Sequence, residues 1–117
     1  MESIAIVGLD CHFPKVKNKE EFWQLLYKGQ DAISLIPENR WKRNAFYNEN
    51  PSETGCMNTQ CGGFIENPDA FDAEFFGISP REAESMDPQQ RLLLQIAWRA
   101  IEDAGISPIL SAPSADQ

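Results

Sequence analysis

The segment that most constrains this chain is Asp87-Pro88-Gln89-Gln90, which opens a long apolar-periodic run closed by Gly105. An Asp cap, a proline at the first helical position and a Gln at the third are helix-start signals. A glycine just past the last periodic residue is a stop signal. The spacing predicts a helix over residues 88–104. Leu93, Ile96, Ala97, Ala100, Ile101 and Ala104 make one apolar face. Leu92, Leu94 and Trp98 widen it beyond what a lone surface helix needs, so the helix is expected to be buried between layers.

The rest of the chain reads as smaller elements around that helix. Ile4-Ala5-Ile6-Val7 is a continuous apolar run closed by Gly8, a pattern that suits a strand buried on both faces. A strand so near the start predicts a domain that opens without a leader. Asn18 predicts the cap of a helix over residues 20–28, with Glu20 and Glu21 in its first turn, Lys28 in its last and Gly29 as its stop. Its buried stripe is expected to be Phe22, Leu25 and Leu26, with Trp23 beside it. Residues 31–36 read as a short extended piece ended by Pro37. Residues 37–62 show no period and read as a long loop anchored by Trp41, Phe46 and Tyr47. Gly62-Gly63-Phe64-Ile65 predicts a short strand entered through the glycine pair. Ser79-Pro80-Arg81-Glu82 is a second capped helix start. The tail, residues 111–117, has no apolar period and is expected to be disordered.

Charge and composition exclude several classes. The net charge is −8, and residues 44–117 carry three Lys and Arg against twelve Asp and Glu. A nucleic-acid module needs clustered cations, so nucleic acid is excluded as a partner. The local basic cluster of Arg40, Lys42 and Arg43 reads as a solvated turn, with a patch for an acidic protein partner as the sharper alternative. No run approaches the roughly 20 apolar residues of a membrane helix, so no membrane association is expected. Cys11, Cys56 and Cys61 are odd in number and lack framework spacing, which predicts free thiols and a cytoplasmic setting.

A succession of short motifs carries the reading further. Ile4-Ala5-Ile6-Val7-Gly8 followed by Cys11-His12-Phe13-Pro14 resembles the opening of type I ketosynthases. The same holds for Phe22-Trp23-x-Leu25-Leu26-x-x-Gly29-x-Asp31-Ala32-Ile33 and for Pro37-x-x-Arg40-Trp41. Further on come Gly62-Gly63-Phe64 and Phe71-Asp72-x-x-Phe75-Phe76-Gly77-Ile78-Ser79-Pro80-Arg81-Glu82-Ala83. The last are Met86-Asp87-Pro88-Gln89-Gln90-Arg91-Leu92-Leu93-Leu94 and Ala97-Trp98-x-x-Ile101-Glu102-Asp103-Ala104-Gly105. The match spans nearly all of residues 3–108 in the family's order. It is most similar to the ketosynthases of polyketide synthases and animal-type fatty acid synthases.

The resemblance implies an α/β architecture: the incomplete N-terminal part of a thiolase-like, layered αβαβα fold. Residues 1–110 would be the truncated β-ketoacyl synthase portion and residues 111–117 the tail. The whole domain would be a homodimeric acyltransferase of the 3-oxoacyl-[acyl-carrier-protein] synthase type. It would perform a decarboxylative Claisen condensation of acyl thioesters through a cysteine nucleophile and two histidines. Its partner would be an acyl carrier protein, and the only prosthetic group would be the phosphopantetheine that this partner carries.

None of the catalytic motifs that the resemblance implies lies in this sequence. The family's Thr-Ala-Cys-Ser-Ser-type motif and both histidine motifs come later, so no catalytic, cofactor-binding or metal residue is assigned here and the chain alone is expected to be inactive. The alternative is a non-catalytic remnant or docking module for a ketosynthase or carrier protein. Cys11 stands where the family commonly has Cys, with packing as its role. His12 stands where Arg is usual and is expected to meet an acidic group. Cys11, His12, Cys56 and Cys61 fit zinc poorly, since C-x4-C is looser than the usual pairs. Glu82 and Asp87 read as caps. Ser79 is a cap too, without a nucleophile elbow around it. Arg40, Arg81 and Arg91 read as ion pairs that hold loop to helix. With its apolar faces meant for strands absent from this sequence, the isolated chain is expected to be poorly folded or aggregation-prone.

Overall fold

The computed structural model describes residues 1–50 and 52–107. The expected tail and the domain limit at residue 110 lie outside the described residues. The elements, in order, are α1 (Lys19–Lys28), β1 (Ile33–Leu35), α2 (Arg43–Phe46), β2 (Cys61–Gly63), α3 (Pro80–Ser85) and α4 (Pro88–Asp103). The content is a partial α/β fold whose one sheet among the described residues is the antiparallel pair β1–β2, in register Ile33↔Gly63, Ser34↔Gly62 and Leu35↔Cys61.

The helices form where local chemistry dictates. Asn18 Oδ1 accepts the Glu21 N–H at 2.8 Å, and Glu21 Oε2 reaches back to accept from the Lys17 N–H at 2.7 Å. These contacts satisfy donors that the first turn leaves orphaned. Ser79 Oγ accepts from Glu82 N–H at 3.2 Å, and Asp87 Oδ1 from Gln89 N–H at 2.8 Å. Gly105 ends α4 at φ 71°, a left-handed turn that costs a side-chain-bearing residue about 1 kcal/mol or more. Its N–H and that of Ile106 close back on the carbonyls of Glu102 and Ile101. A further helical turn precedes α3: Asp72 Oδ1 accepts from Phe75 N–H, and Gly77 and Ile78 donate to the carbonyls of Glu74 and Ala73.

Four expectations are corrected. The run Ile4-Ala5-Ile6-Val7 is not a strand, and Ile4 and Ile6 are 94% and 82% exposed. A strand's hydrogen bonds all go to a neighbour, and β1 and β2 are paired with each other elsewhere. The stripe of α1 is only half formed: Phe22 and Leu25 are half-buried, whereas Trp23 and Leu26 are exposed. The glycine pair lies within β2 rather than at its entrance. The long loop holds one helical turn, α2, and is tied by backbone bonds from Met57 N–H to Phe46 O and from Asn48 N–H to Met57 O. Of its three expected anchors, Trp41 and Tyr47 are half-buried and Phe46 is exposed.

The core is small. Among the described residues only Val16, Ile36 and Ala83 are buried hydrophobic side chains. The solvent-accessible surface is 9521 Å², about one and a half times the roughly 6,400 Å² of a compact monomer of this mass.

Candidate functional site

Two faces of α4 stand in contrast, and they define the site. One side meets the rest of the chain, through polar contacts of Arg99 and Asp103 and apolar ones of Trp98, Ala100 and Ala104. The Arg99 Nη1 donates to the Lys17 carbonyl at 2.8 Å, and its Nε lies 2.8 Å from Asp10 Oδ2. The Asp10 side chain is only 7% exposed. The contact is Coulombic rather than a hydrogen bond, because Nε and Oδ2 lack hydrogen-bond alignment with any partner. One turn on, Asp103 Oδ2 accepts the Leu9 N–H at 3.1 Å and its other oxygen pairs with Lys19 Nζ. That bond and the Leu9 N–H hold the Asp103 carboxyl below its ordinary range, and Asp103 raises Lys19 in turn.

The approach of the two segments is close. A Cβ at Gly8 would run into the Ala100 carbonyl oxygen and sit 2.8 Å from the Ala104 Cβ. Residues 8–10 are thereby clamped across the last turns of α4, and residues 4–7 extend beyond the clamp. On the same side, Phe75 meets Trp98 edge-on at 4.8 Å, and Phe76 stacks on Phe71 at 5.4 Å. This aromatic group packs beside the middle of α4 with edge-on and stacked rings, leaving a cleft of about 250 Å³ lined by Phe75, Phe76 and Trp98.

The opposite face is apolar and bare. Leu93, Leu94, Ala97 and Ile101 are all exposed, Leu93 by 65%. Together with Met86 and Gln90, the first three line an open groove of about 440 Å³.

The residues singled out from the sequence are scattered. Burial, with the adjacent Asp10 charge, pushes the Cys11 thiol up, the opposite of what activates a nucleophile. His12 makes no ion pair among the described residues; burial and the cations of Arg99 and Lys17 lower its pKa, against a smaller opposing pull from Asp10 and Glu21. Nowhere among the described residues do three His, Cys, Asp or Glu side chains gather as metal ligands would. Ser79 and Asp87 head their helices as caps; Glu82 lies in the first turn of α3, where its backbone N–H donates to Ser79 Oγ while its carboxylate makes no capping bond among the described residues.

The three arginines expected in ion pairs make none among the described residues. Arg40 donates to the Ile65 carbonyl at 2.8 Å and lies 5.7 Å over the Phe64 ring; Arg81 is exposed; Arg91 has a buried, unpartnered Nε. The arginine pairs are instead Arg43–Glu38 and Arg99–Asp10. Sequence reasoning missed Asp10 and Arg99, and no periodicity or motif spacing could have joined them. The basic cluster borders a cleft of about 420 Å³ that Lys15, Ser34, Arg40 and Phe64 help to line. No described helix is long and apolar enough to cross a membrane.

Comparison with known proteins gives this arrangement its context. Residues 1–114 match the family described as the β-ketoacyl synthase N-terminal domain. The chain is 55% identical over 108 residues to one component of the phenolphthiocerol/phthiocerol polyketide synthase of Mycobacterium tuberculosis, covering 92% of this chain and 6% of that protein. It is 53% identical over 108 residues to another component of that synthase, covering 92% and 7%. The chain therefore spans under a tenth of the length of these relatives. Among solved structures, the oxazolomycin ketosynthase domain of Streptomyces albus superposes with a TM-score of 0.79 at 38% identity, over 84% of this chain and 17% of that one. The ketosynthase from module 6 of the bacillaene synthase of Bacillus subtilis gives a TM-score of 0.79 at 37% identity, over 91% and 17%. The clamp, the aromatic group and the bare face of α4 thus belong to one segment of a thiolase-like fold. The chain belongs to the β-ketoacyl synthase family and corresponds to the N-terminal portion of a polyketide synthase ketosynthase domain.

Proposed function

We propose that the chain supplies the first structural portion of a ketosynthase and carries none of its catalytic groups. The domain it serves would join two acyl thioesters by decarboxylative Claisen condensation, with an acyl carrier protein delivering the substrates through its own phosphopantetheine. In that reaction a cysteine thiolate takes the acyl group and releases the carrier thiol. Loss of carbon dioxide from the extender then generates the carbanion that attacks the acyl cysteine, forming the carbon–carbon bond as the acyl C–S bond breaks and the cysteine thiolate is released. The homodimer and the cytoplasmic setting belong to the same proposal, as do the boundary near residue 110 and the tail after it. The observation that carries the reading is the 55% identity to a polyketide synthase over 92% of the chain.

The chain's own residues support a scaffolding part. Its cysteines are not paired with a base: Cys11 is raised by burial, and no cysteine donates or accepts a side-chain hydrogen bond among the described residues. The test is incubation with an acyl N-acetylcysteamine thioester followed by intact mass. No adduct beyond the background of a free thiol is expected. Rapid stoichiometric acylation of Cys11, Cys56 or Cys61 would overturn the inactive assignment.

The docking-module reading draws on a different observation, the bare apolar stripe of α4. It needs no catalytic residue and is compatible with the same family membership.

A further inference from the structure

Among the described residues, two that carry a side chain adopt left-handed backbone, Lys15 at φ 66° and Asn67 at φ 47°, and both line the same cleft of about 420 Å³. Asparagine bears that conformation readily, whereas lysine does not. Phe13 and Val16 close a tight turn through two backbone hydrogen bonds of 3.0 Å, with Pro14 and Lys15 at its centre. Proline fixes a negative φ at the first central position, so this turn asks the second to be left-handed, where glycine is unstrained. The turn is also pressed onto β2, since a Cβ at Gly63 would lie 2.9 Å from Pro14 Cγ. Lys15 is therefore held in a strained conformation at a fixed place beside a cleft, and strain of this kind concentrates at binding sites.

The groups around the cleft are suited to one class of ligand. Lys15 Nζ donates to the Asp31 carbonyl at 2.7 Å, which commits one of its three N–H groups. Arg40 commits Nη2 to the Ile65 carbonyl at 2.8 Å, with its guanidinium 5.7 Å over the Phe64 ring. Its neighbour Arg43 is already paired with Glu38, so Arg40 is the arginine left to the cleft. Against these two cations stands a single lining carboxylate, Glu66, which leaves one net positive charge. Pro37 and Phe64 supply apolar wall.

We propose that this cleft binds a small organic monocarboxylate, its carboxylate held by Lys15 and Arg40 and its apolar body against Pro37 and Phe64. The volume falls within the range of small-molecule sites. Glu66 sets the charge that fits: a monoanion is neutralised, whereas a dianion such as phosphate leaves a charge uncompensated beside a carboxylate. The site shares no residue with the clamp on α4 and does not depend on the ketosynthase reading.

The test titrates the isotope-labelled full chain with hexanoate and follows the backbone amides by NMR. Hexanol, which lacks the carboxylate, and inorganic phosphate, which lacks the apolar body, are the comparison probes. Saturable shifts are expected at Lys15, Phe64 and Asn67, with half-saturation about tenfold lower for hexanoate than for either comparison probe. Lys15→Gly removes the cation and the strain together. It should weaken hexanoate about tenfold while the Tm stays level or rises, so the lost binding is not lost folding. Glu66→Gln should tighten hexanoate by about threefold and admit phosphate, a gain that a purely structural residue does not give. Lys42→Gln, nearby and outside the cleft, should change neither.

Hexanol or phosphate binding as well as hexanoate overturns the proposal, as do shifts gathered along the apolar face of α4 instead of at the cleft. A Tm that falls with Lys15→Gly assigns the lysine to the turn and overturns it too. Undiminished binding by Lys15→Gly does the same, and so does a full chain that shows no cooperative melt.

Discussion

Residues 4–7 and α4 are both strongly apolar in sequence, yet only α4 takes up regular structure. A helix satisfies its backbone within its own segment, and the Asp87 cap and Gly105 stop close its two ends without help from elsewhere. A strand borrows every ladder bond from a neighbour, and residues 4–7 have none among the described residues. The difference teaches that apolar pattern predicts burial, whereas regular structure also requires that backbone hydrogen bonds be met. The boundary between the two behaviours falls at Gly8, where the chain first touches α4.

That boundary gives the largest expected effect. Gly8→Val places a branched side chain against the Ala100 carbonyl and the Ala104 Cβ, where neither backbone nor methyl can yield cheaply. We expect a loss of about 3 kcal/mol, near the upper end for overpacking, read as faster exchange of the Leu9 amide. Ile6→Ser, two residues away, removes an apolar side chain already in solvent and should change stability by less than about 0.5 kcal/mol. Equal effects at both positions would break the comparison, because residues 4–7 would then be paired in solution.

The local half of the fold was legible in sequence and the remote half was not. Asn18, Ser79 and Asp87 announce their helices because a cap acts within three residues. The turn over residues 72–77 carried the same signals, an Asp cap and a Gly stop, but is too short to show a period. The Leu9–Asp103 contact spans 94 positions and that of Arg99 with Lys17 spans 82, distances over which a single sequence holds no information about proximity. The expected arginine pairs failed for the same reason: motif membership places a residue in a family and does not say which carboxylate it faces. Of the apolar face read for α4, Ala100 and Ala104 pack on Gly8 and Trp98 meets Phe75, whereas Leu93, Ala97 and Ile101 are exposed, so the expected burial between layers is not seen among the described residues.

The next effect sharpens the polar side of that contrast. Arg99→Ala strands the Asp10 carboxylate at 7% exposure and frees the Lys17 carbonyl. A fully buried pair broken this way costs several kcal/mol; with the Arg99 side chain 38% exposed, solvent screening reduces the expectation to about 2 kcal/mol. Asp10→Asn in the Arg99→Ala background should recover part of it, as measured by denaturant unfolding. No recovery would show that the arginine acts by packing its stem rather than by its charge. A smaller loss, about 1 kcal/mol, is expected for Asn18→Ala, read as reduced helical circular dichroism, because it removes the acceptor for the Glu21 N–H.

The smallest effect concerns acid. Asp103 has a folded-state pKa below its ordinary 3.8, held down by Lys19 and the Leu9 N–H. A lowered carboxyl pKa contributes stability that is present above the ordinary value and is lost as pH falls through the folded one. Lys19, raised from 10.5, contributes stability that is complete below that value and disappears only as pH rises through its folded pKa. The clamp should therefore be constant through neutral pH and loosen at both extremes, in acid below the ordinary carboxyl range and in alkali as Lys19 loses its proton. The Leu9 amide proton shift, followed by NMR from neutral pH into acid, would titrate with Asp103, and Asp103→Asn should abolish that titration. A Leu9 shift that moves instead between the carboxyl range and neutral pH would assign the clamp to His12, whose lowered pKa places its own loss of stability in that window as pH falls.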